Sequence, residues 1–365
     1  MSIKLTIVGD ICPASINDFF KVQNVDTLFG DTLSYIQNAD RAICNLECAI
    51  TDKDTPIAKI GPNLKVSPEA ATVLKKAGFT DCSIANNHIF DYGVEGINDT
   101  LLSLKNEDIN WFGFGENALD ARKNLVIEKD DRKVAIISVC EHEYCYALEN
   151  RMGARGFDMI DTLDDVAKAR KENDFVIVLF HGGKEQCLYP SPRLRKICRA
   201  LVDKGADAVF CQHSHCIGCY ENYNGAHILY GQGNFLFLKN LDHPHWKSGL
   251  LANITITDKM ELELIPCVAR ENGITIAEGD EKKAISDAFQ KRSETLNNNA
   301  WLDGWREFCQ DNAEKYIGVI KSAFSDGCTE RDIEMFNHYL RCEAHHDVWD
   351  ELCKLSWETR KEIKG

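Results

Sequence analysis

The residues best suited to chemistry in this chain are carboxylates, asparagines and histidines that follow short apolar stretches. Short runs of apolar and β-branched residues predict buried strand ends. Polar side chains at such places cost free energy unless they bind one another or a ligand. If the strands end at one edge of a sheet, that edge would gather Asp10, Asn45, Glu47, Asn87, His88, His181, His213 and His215.

One segment shows this pattern most clearly. The apolar run 82–85 is followed by two asparagines and His88, and Asp91 stands three residues further on. Asp91 is close enough in sequence to orient the His88 ring and to support its charged form. As an alternative, the asparagines and the aspartate could simply cap a helix over 94–104. The segment by itself leaves both interpretations open.

The combined set of side chains predicts a metal site. Two carboxylates, an amide and several imidazoles suit Zn, Mn or Fe better than Ca or Cu(I). They suffice for two divalent metals about 3.5–4 Å apart that share a carboxylate, an arrangement that activates water. His213 and His215 form the strongest pair, because on an extended segment both rings would point to one side.

The pattern along the chain predicts an α/β (α+β) fold. Strand-like runs alternate with helical segments, and ligand binding at the carboxyl ends of strands is the rule for open α/β sheets. After about residue 280 the chain changes to charged helix with spaced aromatic residues. We therefore place a boundary there, between a domain over 1–279 and a helical accessory segment over 280–365.

Composition excludes several classes of protein. The formal net charge of −15 argues against nucleic acid as a partner, since that binding depends on phosphate neutralisation. No stretch reaches the ~18 apolar residues of a membrane span, and no secretory leader is recognisable. The 16 cysteines are scattered, which favours reduced thiols. We expect a cytoplasmic protein without an integral membrane segment.

The order and the amino-acid sequences of these segments resemble those of the CapA family of poly-γ-glutamate capsule biosynthesis proteins, within the calcineurin-like metallophosphoesterases. The resemblance covers about residues 3–240. The matching segments are Gly9-Asp10, Asn45-Leu46-Glu47, Ala85-Asn86-Asn87-His88 with Asp91-Tyr92-Gly93, Gly113-Phe114-Gly115, 176–183, and 205–215 continued to Gly233-Asn234-Phe235.

This resemblance implies a four-layer αββα sandwich of two mixed sheets, followed by the C-terminal helical segment. It also implies two sets of metal ligands bridged by Glu47, namely Asp10 and His215 for one metal and Asn87, His181 and His213 for the other. His88, paired with Asp91, would protonate the leaving oxygen. Further candidates for substrate contact are Asn45, Asn86, Glu141, His142 and Asn234.

Two positions depart from the wider superfamily. Its first motif is Asp-x-His, whereas this chain has Cys12, so the first metal would have a thiolate ligand or one protein ligand fewer. The superfamily's bridging aspartate is replaced here by Glu47, which is one methylene longer and would widen or weaken the site. Both departures are common in the capsule family.

The expected function is metal-dependent hydrolysis, in which metal-activated water attacks a phosphoester or related bond of a small anionic or polymeric substrate. Two alternatives stay open: a non-catalytic capsule or polyglutamate biosynthesis or binding protein, and a hydrolase of γ-glutamyl amides. The pair Cys216 and Cys219 beside His213 and His215 also allows a structural zinc site. The histidines at 345 and 346 are expected on the surface.

Overall fold

The computed structural model describes residues 2–16, 24–141, 144–238 and 241–364, with side chains up to residue 356 except for those of residues 15 and 16. The described strands are β1 (Ile3–Ile11), β2 (Arg41–Leu46), β3 (Ala49–Ile50), β4 (Lys65–Val66), β5 (Asp81–Ser83), β6 (Asn110–Phe112), β7 (Phe114–Gly115), β8 (Leu125–Lys129), β9 (Arg132–Cys140), β10 (Gly153–Ala154), β11 (Phe175–His181), β12 (Ala208–Gln212), β13 (Tyr220–Tyr223), β14 (Ala226–Leu229), β15 (Asn234–Leu236), β16 (Ser248–Ile256), β17 (Met260–Arg270) and β18 (Gly273–Ile276).

The α-helices alternate with the strands up to β12 and then dominate the C-terminal part of the chain. They are α1 (Val25–Phe29), α2 (Leu33–Gln37), α3 (Glu69–Ala77), α4 (Gly93–Asn106), α5 (Met159–Glu172), α6 (Pro192–Asp203), α7 (Gly279–Glu294), α8 (Trp301–Asp311), α9 (Ala313–Ala323), α10 (Glu330–Arg341) and α11 (Glu343–Lys364). No helix in the described parts of the chain is both long and apolar enough to cross a membrane.

Within the described residues, the long strands form two mixed sheets. The first runs in the order β18-β17-β16-β1-β2-β5-β6, with β15 also paired to β1, and the second runs β13-β14-β12-β11-β9-β8. In the first sheet β1 is parallel to β2 and antiparallel to β16. In the second sheet β11 is parallel to both β9 and β12. Both sheets therefore have parallel strands whose carboxyl ends can carry a site.

The two sheets pack face to face with helices outside. Leu5, Ile7 and Ile43 of the first sheet share a buried cluster with Ile177 and Phe210 of the second. The opposite faces of the sheets pack on helices, with α3 and α4 covering the first sheet and α5 and α6 covering the second. Because both sheets are covered on both faces, their central strands are rich in apolar residues. The four-layer αββα sandwich predicted above is confirmed.

Local sequence explains where the helices begin and end. Ser191 caps α6 by accepting a hydrogen bond from the backbone N–H of Leu194, and Pro192 occupies the first helical position. Gly78 ends α3 with a φ of 107°, a left-handed conformation that favours glycine. A capping box of Thr329 and Asp332 begins α10. These signals fix the helices that flank the sheets.

The C-terminal helices have a small core of their own. Trp305, Tyr316, Tyr339 and Val348 pack together, and Cys187, from the loop after β11, joins them. The prediction that His345 lies on the surface is wrong, because this residue is buried and its Nδ1 lies 2.7 Å from the Tyr316 hydroxyl. The helices therefore pack on the same loop region that follows the ends of the strands.

Candidate metal centre

Strand register brings the first polar groups together. In the pairing of β1 with β2, Asp10 lies opposite Asn45, and in the pairing of β1 with β15 it lies opposite Asn234. Asn45 Nδ2 donates a 2.7 Å hydrogen bond to Asp10 Oδ1 and lies 3.0 Å from His181 Nδ1. Asn45 thus connects the first sheet to the second and holds two predicted metal ligands in place.

Glu47 is a fully buried carboxylate of the cluster. It is 0% exposed, and neither of its carboxylate oxygens has a hydrogen-bond partner. Its Oε1 lies 3.5 Å from His181 Nε2 and 3.8 Å from His215 Nε2. Burial, followed by the negative charge of Asp10, raises the pKa of Glu47 well above its usual range. A buried carboxylate without a partner is costly, and a cation between these groups would supply the missing interaction.

The loop that carries His213 and His215 differs from the extended segment predicted from the sequence. His213 has a φ of 84° and His215 a φ of 54°, so both residues adopt left-handed backbone conformations. Such conformations cost free energy in residues other than glycine and are held only by their surroundings. The His213 N–H donates to Asp10 Oδ2 at 3.1 Å, and His215 Nδ1 lies 2.9 Å from Asn234 Oδ1. The orientation of the His213 and His215 rings is therefore set by left-handed backbone conformations and not by the alternation of side chains along a strand.

His181 ends β11 on the opposite side of the cluster. Its Nε2 lies 2.9 Å from Asn87 Oδ1, and its ring centroid lies 4.8 Å from that of His213. Burial and the proximity of His213 lower the pKa of His181 well below its usual range. Burial likewise lowers the pKa of His213 to about 4. Both rings are therefore neutral near pH 7, the form in which imidazole binds metals.

The pKa of His215 moves in the opposite direction. Burial alone would lower it, but the hydrogen bond and the negative charge of Asp10 outweigh burial and raise it. This difference arises because His215 Nδ1 lies only 3.4 Å from Asp10 Oδ2. Asp10 thus stabilises a positive charge at this position, whether a proton or a metal ion carries it.

The described residues contain groups of side chains that are close enough to hold a metal ion. In each group, one ligand atom from every member lies within 4.8 Å of the others. The groups are Asp10, Glu47 and His215; Glu47, His181 and His213; and Glu185, His213 and His215. The first two groups share Glu47. The third contains Glu185, which the sequence analysis did not single out.

His88 and Asp91 meet as expected, and a lysine joins them. His88 Nδ1 lies 2.7 Å from Asp91 Oδ2, and Lys59 Nζ donates to Asp91 Oδ1 and lies 3.2 Å from His88 Nδ1. The side chain of Lys59 is only 3% exposed. Burial, followed by the positive charge of Lys59, lowers the pKa of His88 despite the opposing effect of Asp91. The sequence analysis missed Lys59, which lies in a loop without any recognisable motif.

The other predicted candidates have varied surroundings. Asn86 Nδ2 donates to Asn45 Oδ1 at 3.1 Å, so it supports the groups around Asp10. Asn234 holds His215, as described above. Glu141 is buried, accepts a 2.7 Å bond from the Gly183 N–H and forms an ion pair with Arg193. His142 lies outside the described residues.

The cysteines near the cluster belong to none of the metal-holding groups found among the described residues. Cys12 is buried beside Cys48, and its hydrogen bond with that thiol, together with burial, raises the pKa of Cys48. Cys216 Sγ lies 3.3 Å from the carbonyl oxygen of Cys187, and Cys219 Sγ lies 3.5 Å from that of Leu188. In this geometry these thiols are packing residues, and the structural zinc alternative gains no support.

The chain is an αββα sandwich in which carboxylate, amide and imidazole groups gather at the carboxyl ends of strands. The family model described as "Bacterial capsule synthesis protein PGA_cap" matches residues 4–239, and the chain belongs to this family. The resemblance stated from the sequence is therefore confirmed.

Known proteins are similar over the same part of the chain. The capsule biosynthesis protein CapA of Bacillus anthracis is 32% identical over 244 residues, which cover 64% of this chain and 59% of that protein. The PGA biosynthesis protein CapA of Bacillus subtilis is 30% identical over 237 residues, which cover 64% and 62%. The match thus spans less than two thirds of the length of either relative.

Solved structures are similar at lower sequence identity. A phosphatase from Mycoplasma pneumoniae has a TM-score of 0.46 and 16% identity, with 73% of this chain and 94% of that chain covered. A putative 5'-nucleotidase from Staphylococcus aureus has a TM-score of 0.47 and 15% identity, with coverages of 79% and 58%.

Proposed function

We propose that this protein is a metal-dependent hydrolase that cleaves a phosphoester or related bond and serves the metabolism of a capsule polymer such as poly-γ-glutamate. The single observation that carries the proposal is the carboxylate of Glu47. It is fully buried, its oxygens have no partner, and it lies between His181 and His215. A carboxylate in these surroundings is suited to bridge two cations.

The surrounding residues fit a pair of divalent cations. We propose that Asp10 and His215 hold one ion, that Asn87, His181 and His213 hold the other, and that Glu47 bridges the two. The donors are carboxylate, amide and neutral imidazole groups, a set that suits Mn, Zn or Fe. When bound, such a pair activates water and stabilises negative charge on the group under attack.

In this proposal His88 supplies the proton for the leaving oxygen. A carboxylate can only accept hydrogen bonds, so the 2.7 Å contact with Asp91 Oδ2 requires a proton on His88 Nδ1. Nε2 would therefore carry a proton for transfer when the ring is doubly protonated. The attacking water would release one proton to solvent and its oxygen would bond to phosphorus. The bond to the leaving oxygen would break, and Nε2 of His88 would donate a proton to that oxygen. Asp91 and Lys59 would hold the ring in place for this transfer.

The family supplies the proposed setting. Two relatives bear names that refer to capsule or PGA biosynthesis, and we extend that setting to this chain as a proposal. A polymer of that kind offers both anionic groups, which a metal centre attracts, and γ-glutamyl amides. Amide cleavage would use the same activated water, so γ-glutamyl amides belong in the same substrate screen as phosphoesters. A protein that binds the polymer without cleaving it is the remaining alternative.

The test begins with metal content. The chain is purified without chelator, reloaded with Mn or Zn and measured by elemental analysis, in parallel with His213→Ala and His88→Ala. The matched control is His346→Ala, because His346 is exposed and lies outside the metal-holding groups. We expect about two ions per chain in the unmodified protein, in the control and in His88→Ala, and fewer in His213→Ala.

The second measurement is turnover of a panel of phosphoesters and γ-glutamyl amides. We expect His88→Ala to keep its metal and lose turnover, while His346→Ala keeps both. Absence of metal after reloading would refute the metal centre. Full metal occupancy without turnover of any substrate would refute the hydrolase and favour the non-catalytic alternative.

A further inference from the structure

Glu185 occupies a place that neither the sequence motifs nor the family resemblance assign to a ligand. It lies four residues after His181, in the loop that connects β11 to α6. Its Oε1 is 4.0 Å from His213 Nε2, and its ligand atom lies within 4.8 Å of ligand atoms of both His213 and His215. One carboxylate oxygen and two imidazole nitrogens at this spacing are a metal-binding combination.

The loop that contains Glu185 is hydrogen-bonded to the loop that contains His213 and His215. The N–H of Gln186 donates a 2.7 Å hydrogen bond to the carbonyl oxygen of Ser214, the residue between His213 and His215. Gln186 has a φ of 60°, so left-handed backbone occurs on both sides of this contact. Strained conformations of this kind persist where the surroundings over-determine them, which is common at binding sites. The contact holds Glu185 opposite the histidine pair.

Glu185 and Glu47 differ in their exposure to solvent. Glu47 is fully buried and belongs to the groups with His181 and His215, whereas the side chain of Glu185 is 47% exposed and belongs to the group with His213 and His215. Each carboxylate is thus grouped with residues of both proposed ligand sets. Glu47 is thus a buried carboxylate of the cluster, and Glu185 is a solvent-exposed one.

The proposed ligand set has room for one more protein group. Asp10, Glu47 and His215 supply three ligands to the first ion, and the thiol of Cys12 is engaged with Cys48. Zinc-type sites take four ligands, so a position stays open for water, substrate or a further side chain. An ordinary surface ion pair between Glu185 and a histidine contributes little to stability and would not require the strained loops.

We propose that Glu185 is a further metal ligand of this centre, which joins His213 and His215 from the solvent side. The inference rests on the proposed metal centre and adds a residue to it.

The test compares Glu185→Gln and Cys12→Ser with the unmodified chain. The matched control is Glu149→Gln, an exposed glutamate outside the metal-holding groups of the described residues. Dissociation constants for Mn and Zn are measured by calorimetry, and the visible absorption of the Co-loaded protein reports the number of ligands. Circular dichroism shows that each variant is folded, which the exposed position of Glu185 favours.

We expect Glu185→Gln to bind at least one ion about tenfold or more weakly, since lost ligand interactions weaken binding by such factors. Its Co absorption should also change, whereas Cys12→Ser and Glu149→Gln should match the unmodified protein. Unchanged dissociation constants and an unchanged Co spectrum in Glu185→Gln would overturn this inference but leave the proposed function intact. A parent protein that binds no metal would overturn both.

Discussion

Lys59 donates a hydrogen bond to Oδ1 of Asp91, while the other oxygen of the same carboxylate lies 2.7 Å from His88 Nδ1. The backbone N–H of Leu64 also donates to this Oδ2, at 2.7 Å. The acid–histidine pair predicted from the sequence is therefore a buried group of three charged or polar side chains. Lys59 balances the negative charge of Asp91, and Lys59 and His88 both form hydrogen bonds with the Asp91 carboxylate.

Replacement of Lys59 should destabilise the protein strongly. In Lys59→Met the Asp91 carboxylate stays buried without its cation, and loss of one partner of a buried ion pair typically costs about 3–5 kcal/mol. Urea unfolding measures this change in the free energy of unfolding. The double variant Lys59→Met, Asp91→Asn removes both charges and should recover part of the loss. If the single variant is as stable as the parent protein, Lys59 and Asp91 do not form the buried ion pair described here.

Loading with metal should stabilise the protein against heat. A ligand that binds only the folded state adds about 2.7 kcal/mol at a concentration of 100 times its dissociation constant. The melting temperature should therefore rise when Mn or Zn is added to the chelator-treated chain and fall again with chelator. Asp10→Asn should show a much smaller rise, because Asp10 contacts the His215 ring and the His213 backbone. An equal rise in Asp10→Asn would contradict its place in the centre.

Gly9 should not tolerate a side chain. A Cβ atom at this position would lie 2.1 Å from the carbonyl oxygen of Gly233, so β1 and the segment before β15 would have to separate. Overpacking of this kind typically costs about 1–3 kcal/mol, and the clash with backbone puts Gly9→Ala at the upper end. The separation should also weaken metal binding, because Asp10 and Asn234 are the next pair in the register.

The control for this variant is Gly318→Ala. Gly318 lies within α9, and nothing stands within 4 Å of its added Cβ. Replacing an unobstructed helical glycine by alanine should stabilise the protein by about 0.5–1 kcal/mol. Urea unfolding and metal titration of both variants give the comparison. A stable Gly9→Ala with normal metal affinity would show that β1 and the Gly233 segment are further apart than described.

His345 should make the protein sensitive to acid. Burial, followed by the positive charge of Lys184, lowers the pKa of His345 far below its usual value of 6.5. Below about pH 6.5 the unfolded chain binds a proton at this residue that the folded chain does not, so folding stability decreases as the pH falls. At pH 5 the loss from this residue approaches about 2 kcal/mol.

The measurement is the free energy of unfolding between about pH 7.5 and pH 5, in the parent protein and in His345→Asn. Other buried histidines contribute equally to both proteins, so the difference between the two slopes isolates His345. We expect a smaller decrease in the variant. Identical slopes would show that His345 can take up a proton in the folded state.

Much of the fold was predictable from the sequence because it depends on local patterns. Apolar runs that end in polar residues mark β1, β2, β11 and β12, and the order of their terminal residues identified the family. The same reasoning placed Asp10, Glu47, His181, His213 and His215 at one edge, since parallel strands in a sheet end together. These inferences need only the side-chain types and their spacing.

The tertiary structure alone decided the details that depend on contacts between distant segments. Lys59 lies in a loop without a motif, and only the folded chain brings it onto Asp91. Glu185 gains its place from a hydrogen bond between two loops, and the histidine pair is aimed by left-handed backbone that no local pattern predicts. The sequence predicted that His345 lies on the surface, but the packing of α9, α10 and α11 buries it. Spacing along a chain specifies which side chains share a strand end, whereas burial and charge pairing arise only when separate segments meet.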